Sequence, residues 1–300
     1  MDMTQNKCCR RGANLRRRRL RRRKILRSII FSCSIIAVAV FVAVESSMIR
    51  SGDGRTNRYD VEAGNNTYDN AVIENSKISE KNKIQNNQSM LDDIMNSTQY
   101  PKQLKDLALK NEEALEFVYD YPAEHVKEHT IDLTEEASMD SVPLFVQWDK
   151  RWGYEKYSGN FFAASGCGPT TLSMVVVYLT HNREASPIAV AKYSKEAGYS
   201  VDGSGSSWTL ISEGCMHYGV KAKAVALDES RMKAELDEGH PIVVNVGPGD
   251  FTDTGHFMVI TGYDDEGFSI NDPNSIEKSG KRWLFRNISS QIRAVWSMYV

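Results

Sequence analysis

The chain reads as an α+β protein, on three observations. Helical patterns dominate from about residue 100 to 219 and strand patterns from 220 onward, without the alternation that a doubly wound sheet requires. The run Leu172-Ser173-Met174-Val175-Val176-Val177-Tyr178-Leu179 follows Ser165-Gly166-Cys167-Gly168-Pro169-Thr170-Thr171, so a cysteine stands at the mouth of an apolar helix. His256 opens Phe257-Met258-Val259-Ile260, a partly β-branched run with the character of a buried strand.

The N-terminal third carries a charge asymmetry hidden by a net charge of −2. Residues 1–27 hold 12 Lys/Arg and one acid, Asp2; the rest of the chain holds the other 25 basic and 38 acidic residues, a formal −13. Arg16-Arg17-Arg18-Arg19-Leu20-Arg21-Arg22-Arg23-Lys24 could pair with nucleic-acid phosphates. Its neighbour argues otherwise. Ser28–Val44 is a 17-residue stretch without a charge. At about 1.5 Å per residue it nearly spans a bilayer core of roughly 30 Å. A basic block ahead of an apolar helix fixes the N-terminus inside. The expectation is a basic cytoplasmic tail over 1–27 and an uncleaved signal-anchor over 28–45, with the remainder extracellular. A cleaved signal peptide is the competing reading; its Ala37-Val38-Ala39 site would lie inside the apolar run. Residues 46–99 are polar and Asn-rich, with scattered Ile and Met, and read as an extracellular linker, disordered or a fraying helix.

From Pro101 to Pro122 the spacing of Leu104, Leu107, Ala108, Leu115 and Val118 predicts a helix, and 100–137 a helical extension of the following domain. Val142-Pro143-Leu144-Phe145-Val146 reads as an edge strand. Asp149, Lys150 and Arg151 read as a solvated turn, and Trp148 and Trp152 as core or cleft wall. Beyond the cysteine helix, patterns predict helices over 186–198, with Ser186-Pro187 as its start, and 207–219. Strands follow at 220–226 and 241–246, with a short helix between, near 230–239. The loop 203–207 is Gly/Ser-rich but lacks the Lys-Ser/Thr of a phosphate loop. The strand from His256 turns at Asp264-Asp265-Glu266-Gly267 and returns as Phe268-Ser269-Ile270-Asn271. Trp283-Leu284-Phe285 and Ala294-Val295-Trp296 close the sheet.

Unpaired N–H groups and the positive end of the dipole at a helix N-terminus favour thiolate, the nucleophilic form of Cys167. A small buried cysteine beside a tight turn is the plain alternative. A Cys followed later by a His and then an acid or amide is the chain order of papain-type thiol catalysis. Asp264 and Asp265 fall at the hairpin tip, Asp264 about 26 Å along the strand from His256. With a turn centred on 265–266, Asp272 returns opposite residue 259, near His256, and Asn271 and Asn274 are close alternatives. Of the five cysteines, Cys8 and Cys9 fall on the basic tail, where they could be acylated, and Cys33 in the apolar run. Cys215 follows Trp208, Leu210 and Ile211 and reads as a buried thiol rather than a disulfide partner of Cys167. The histidines share no metal-ligand spacing with cysteines or paired acids, so neither metal nor cofactor is expected.

Gln147-Trp148-Asp149-Lys150-Arg151-Trp152, Gly166-Cys167-Gly168-Pro169-Thr170, Gly255-His256-Phe257 and Asn271-Asp272-Pro273 together resemble the C39-like cysteine peptidase family, in particular membrane-anchored bacterial proteins of the Firmicutes. The resemblance runs from about Tyr100 to the C-terminus, with residues 138–300 as the peptidase domain. It implies a papain-like fold with Cys167 as nucleophile, His256 as base, Asp272 as orienter and Gln147 as oxyanion donor. The implied partner is a peptide or protein substrate, with the membrane engaged through the N-terminal helix and no nucleic acid bound. The same dyad would serve cell-wall amide cleavage or a transglutaminase-like transfer, and a binding module could keep the fold without turnover.

Overall fold

The computed structural model describes residues 66–300. The basic tail, the apolar segment 28–45 and the first part of the linker lie outside the described residues. Among the described residues no helix is long and apolar enough to cross a membrane. The mixed helix-and-sheet class is as expected. Helix α1 (Asn66–Asn96) takes the helical alternative for that part of the linker in place of disorder. Its last turns present Met90, Leu91 and Ile94 at three- and four-residue spacing, and Ile94 is fully buried among Leu104, Leu107, Phe117 and Val118.

The helix expected between Pro101 and Pro122 is broken. Helix α2 (Lys102–Ala108) ends and the chain re-enters a helical path at Asn111, whose side chain accepts from Glu113 N. Helix α3 (Leu115–Tyr119) follows, and Pro122 opens a last helical turn (Tyr121–Glu124) instead of ending one. Segment 142–146 is not a strand. The side-chain amide of Asn271 donates to Val142 O and Pro143 O at 3.0 and 3.1 Å, in place of a backbone ladder. The turn at 149–151 is less solvated than expected: Lys150 pairs with Asp120 at 2.6 Å and Arg151 with Glu136 at 2.9 Å.

Helix α4 (Cys167–Thr180) is apolar on all sides, and every residue from Gly168 to Val177 is buried. Helix α5 (Pro187–Glu196) packs beside it, its Ser186 Oγ accepting from Ala189 N. The helix expected over 207–219 becomes two short pieces, Thr209–Ser212 and the 3-10 turn Gly214–Tyr218.

Six antiparallel strands follow: β1 (Lys221–Ala224), β2 (Ile242–Val246), β3 (His256–Asp264), β4 (Gly267–Asn271), β5 (Arg282–Trp283) and β6 (Ile292–Tyr299). Their order in the sheet is β1-β6-β2-β3-β4-β5. Helix α6 (Glu229–Asp237) joins β1 to β2, its first turn capped by Asp228. Phe285 starts a helical turn (Phe285–Ile288), so the strand expected at 283–285 ends at Trp283. Both faces of the central strands are covered, which is why β2 and the start of β3 read as continuous apolar runs. Val243, Phe257 and Val259 join the core under α4, while Ile242, Val244, Met258 and Ile260 join a second core on the opposite face. The β3–β4 turn requires Gly267, at φ 134°; a Cβ there would lie 2.6 Å from the Trp283 backbone.

Candidate active site

Cys167 is the first residue of α4, and its side chain is partly exposed. The glycines flanking it are fixed by packing. A Cβ on Gly166 would strike the Phe162 ring at 2.6 Å, and one on Gly168 would reach Ser206 Oγ at 2.6 Å. Ser206 lies on a small hairpin (Ser200–Val201 with Gly205–Ser206) that closes against the start of α4, so the Gly/Ser loop packs at Gly168, next to the cysteine in the chain. Tyr157 OH bonds Ser206 and Ser194 at 2.6 and 2.8 Å and holds that hairpin in place.

His256 is the first residue of β3, paired with Val246 across the sheet. Its carbonyl accepts from the buried amide of Asn245 at 3.2 Å. Its Nε2 bonds Asp272 Oδ1 at 2.7 Å, with His256 nearly and Asp272 fully buried. Cys167 and His256 lie close enough that each stabilises the other's charged form. The starts of α4 and β3 and the end of β4 thus bring Cys167, His256 and Asp272 together.

Asp272 sits just past the end of β4, where Val259 pairs with Asn271. A bulge between Ile260 and Gly262 moves the register by one residue from a strict hairpin count. Asp272 Oδ1 also accepts from Asn274 N at 2.8 Å, and Asp272 N donates to Ser279 Oγ at 2.9 Å. Asp272 Oδ2 is buried and meets no partner among the described residues. The alternatives take other work: Asn271 holds residues 142–143, and the Asn274 side chain accepts from Asn111. Asp264, at the hairpin tip, pairs with Arg282.

Gln147 is buried rather than on the surface. Its backbone N–H donates to Pro273 O and its Nε2 to Ala163 O, both at 2.7 Å, so it ties the Asp272 loop to the turn before Cys167. An amide nitrogen carries two hydrogens, so one N–H remains beyond the bond to Ala163.

The electrostatics favour charge separation. Burial works against a Cys167 thiolate, but bonds from His256 and from the backbone N–H groups of Phe257 and Gly168 outweigh it and lower the thiol below its ordinary value. Burial likewise opposes a charged His256; the Asp272 carboxylate and the sulfur override it and push the imidazole up to about 10. Cys215, fully buried and unpaired, is pushed up by burial to about 11. A thiolate–imidazolium pair at a helix start can attack a carbonyl and protonate a leaving nitrogen. Sequence reasoning missed the donors Phe257 N, Gly168 N and Asn274 N, since backbone groups leave no residue-type signal. It also missed Asn245, which had one: a lone amide inside Ile242-Val243-Val244-Asn245-Val246.

Residues 139–300 match the Peptidase_C39 like family. Among solved structures, the chain resembles the peptidase domain of Streptococcus ComA, a bi-functional ABC transporter involved in a quorum sensing pathway. That likeness has 18% identity, covers 53% of this chain and 96% of that one, and has a TM-score of 0.39. A C39-like peptidase from Bacillus anthracis is also 18% identical, over 53% of this chain and 95% of that one, at a TM-score of 0.33. No curated protein matches the chain.

Proposed function

The chain belongs to the Peptidase_C39 like family, and from that premise we propose that it is a membrane-anchored, extracytoplasmic cysteine peptidase with Cys167, His256 and Asp272 as its catalytic residues. The observation that carries this reading is the buried His256, bonded through Nε2 to Asp272 and lying beside a partly exposed Cys167 at a helix start.

The chemistry follows from the charges. The Cys167 thiolate attacks the carbonyl carbon of a peptide or amide bond, and the carbonyl oxygen takes up negative charge. Gln147 Nε2–H and the N–H of Cys167 are the donors for that oxygen. Protonated His256 gives its proton to the leaving nitrogen, the C–N bond breaks and a thioester remains. Neutral His256 then takes a proton from water, the hydroxide attacks the thioester, and the C–S bond breaks to regenerate thiolate and imidazolium. Asp272 keeps the ring oriented and stabilises its charge throughout.

The Arg-rich tail and the apolar stretch 28–45 support anchoring with the peptidase outside the cell, so the substrate is a peptide or protein at that surface. The test is incubation of the full chain, in membranes, with a mixed peptide library and mass-spectrometric reading of new termini. Wild type produces them and Cys167→Ala does not. Equal cleavage by both, or no cleavage by wild type alongside a Cys167 that alkylates like an ordinary thiol, contradicts the proposal.

A further inference from the structure

The loop carrying Asp272 is gripped from two sides. From within the family-matched segment, Gln147 N holds Pro273 O. The second grip comes from residues 111 and 113, which lie before that segment. Asn111 Nδ2 donates to Asn274 O at 2.9 Å and to Asn274 Oδ1 at 3.1 Å. One carboxylate oxygen of Glu113 accepts from Ser275 Oγ. The other accepts from Ile276 N at 2.7 Å and Glu277 N at 3.1 Å. Asn111 Oδ1 accepts from Glu113 N at 3.0 Å, so the two residues act as one clasp. Every residue from 274 to 277 is thereby tied to the helical extension.

The clasp lies one bond from the site. Asn274 N donates to the same Asp272 oxygen, at 2.8 Å, that holds His256 Nε2 at 2.7 Å. We propose that Asn111 and Glu113 are positioning residues of the active site: they hold the 274–277 loop so that Asp272 keeps His256 oriented and charged, and the extension is a working part of the enzyme. This rests on the thiol-hydrolase reading above. The carboxylate is committed to loop donors that a water-exposed turn would otherwise leave to solvent, and among the described residues the loop has no other side-chain grip from the extension. The charges that act on His256 are those of Asp272 and Cys167, and a charge on Cys167 also acts on Tyr157.

The experiment is the pH dependence of iodoacetamide alkylation of Cys167 in the full chain, followed by peptide mass spectrometry, which needs no substrate. Wild type keeps a reactive arm well below the ordinary thiol range, because imidazolium holds the thiolate. Glu113→Ala loses at least about tenfold in rate near pH 6, because a loosened Asp272 leaves His256 less charged and the thiolate about ten times scarcer. It converges on wild type near pH 10, where any thiol ionises. Asn111→Asp keeps the oxygen that caps the 112–114 turn but loses the donor to Asn274, and behaves likewise; it carries the test if Glu113→Ala does not fold. Glu112→Ala, whose carboxylate faces Asn87, matches wild type. Folded Glu113→Ala and Asn111→Asp proteins with the wild-type arm intact overturn the clasp while leaving the site reading in place. A wild-type profile with a single rise near that of a free thiol overturns the site reading and the clasp together.

Discussion

Asp272 Oδ1 accepts two hydrogen bonds, from His256 and from Asn274 N, while Oδ2 meets none among the described residues. A buried carboxylate so held depends on a positive partner, and the imidazolium is the one at hand. Asp272→Asn therefore lowers turnover by well over tenfold, whereas Asp264→Asn stays near wild type, because Asp264 pairs with Arg282 at the hairpin tip, away from the site; peptide-cleavage rates decide between them. The pH profile follows with a definite sign. His256 must stay protonated to serve the leaving nitrogen, and its value of about 10 places the alkaline limb of kcat/KM high. Removing the negative charge of Asp272 lowers that value, so the alkaline limb of Asp272→Asn moves to lower pH; an unmoved limb would mean that Asp272 does not act on His256. Gln147→Ala loses about 10²-fold in kcat if its free N–H meets the oxyanion. At this scale Cys167, His256 and Asp272 were legible because nucleophile, base and acid have distinctive side chains and a chain order. The donors Phe257 N and Gly168 N were not, since any residue other than proline offers an N–H.

The elements explain why these side chains meet. Helix α4 supplies the sulfur and packs on β3, which supplies the histidine, and the β3–β4 hairpin returns the acid to the same end. Simple strand counting placed Asp272 opposite residue 259; the bulge after Ile260 makes Asn271 the partner of Val259 instead. No residue type announces that bulge. Apolar periodicity gave one helix where Asn111 starts a new turn, and again over 207–219, where Glu213 separates two pieces. Periodicity reports which face is buried and passes over such local breaks. Ser206 packs against Gly168, so Gly168→Ala must push the Ser206 hairpin away from the start of α4. The expected cost is about 1–3 kcal/mol of stability by denaturant unfolding, with lower turnover. An unchanged midpoint would show that the hairpin yields freely.

For the whole molecule, what the sequence did not disclose is that the last turns of helix α1 pack against residues 104–118. The linker residues looked too polar to order, and their few apolar side chains gained a partner surface only from Leu104, Phe117 and Val118 further along. The anchor proposal has its own check: protease added to intact cells removes the C-terminal domain, and full protection of that domain would refute the topology. The central claim, that Cys167 is an activated nucleophile and not a buried structural thiol, is tested most directly by competitive labelling. Native full-length protein is treated briefly with iodoacetamide near pH 6, and the modification of Cys167 and Cys215 is compared by peptide mass spectrometry. With Cys167 lowered by His256 and Cys215 pushed up to about 11, Cys167 is labelled at least about tenfold faster. Equal labelling of the two, or a disulfide between them, would contradict the account.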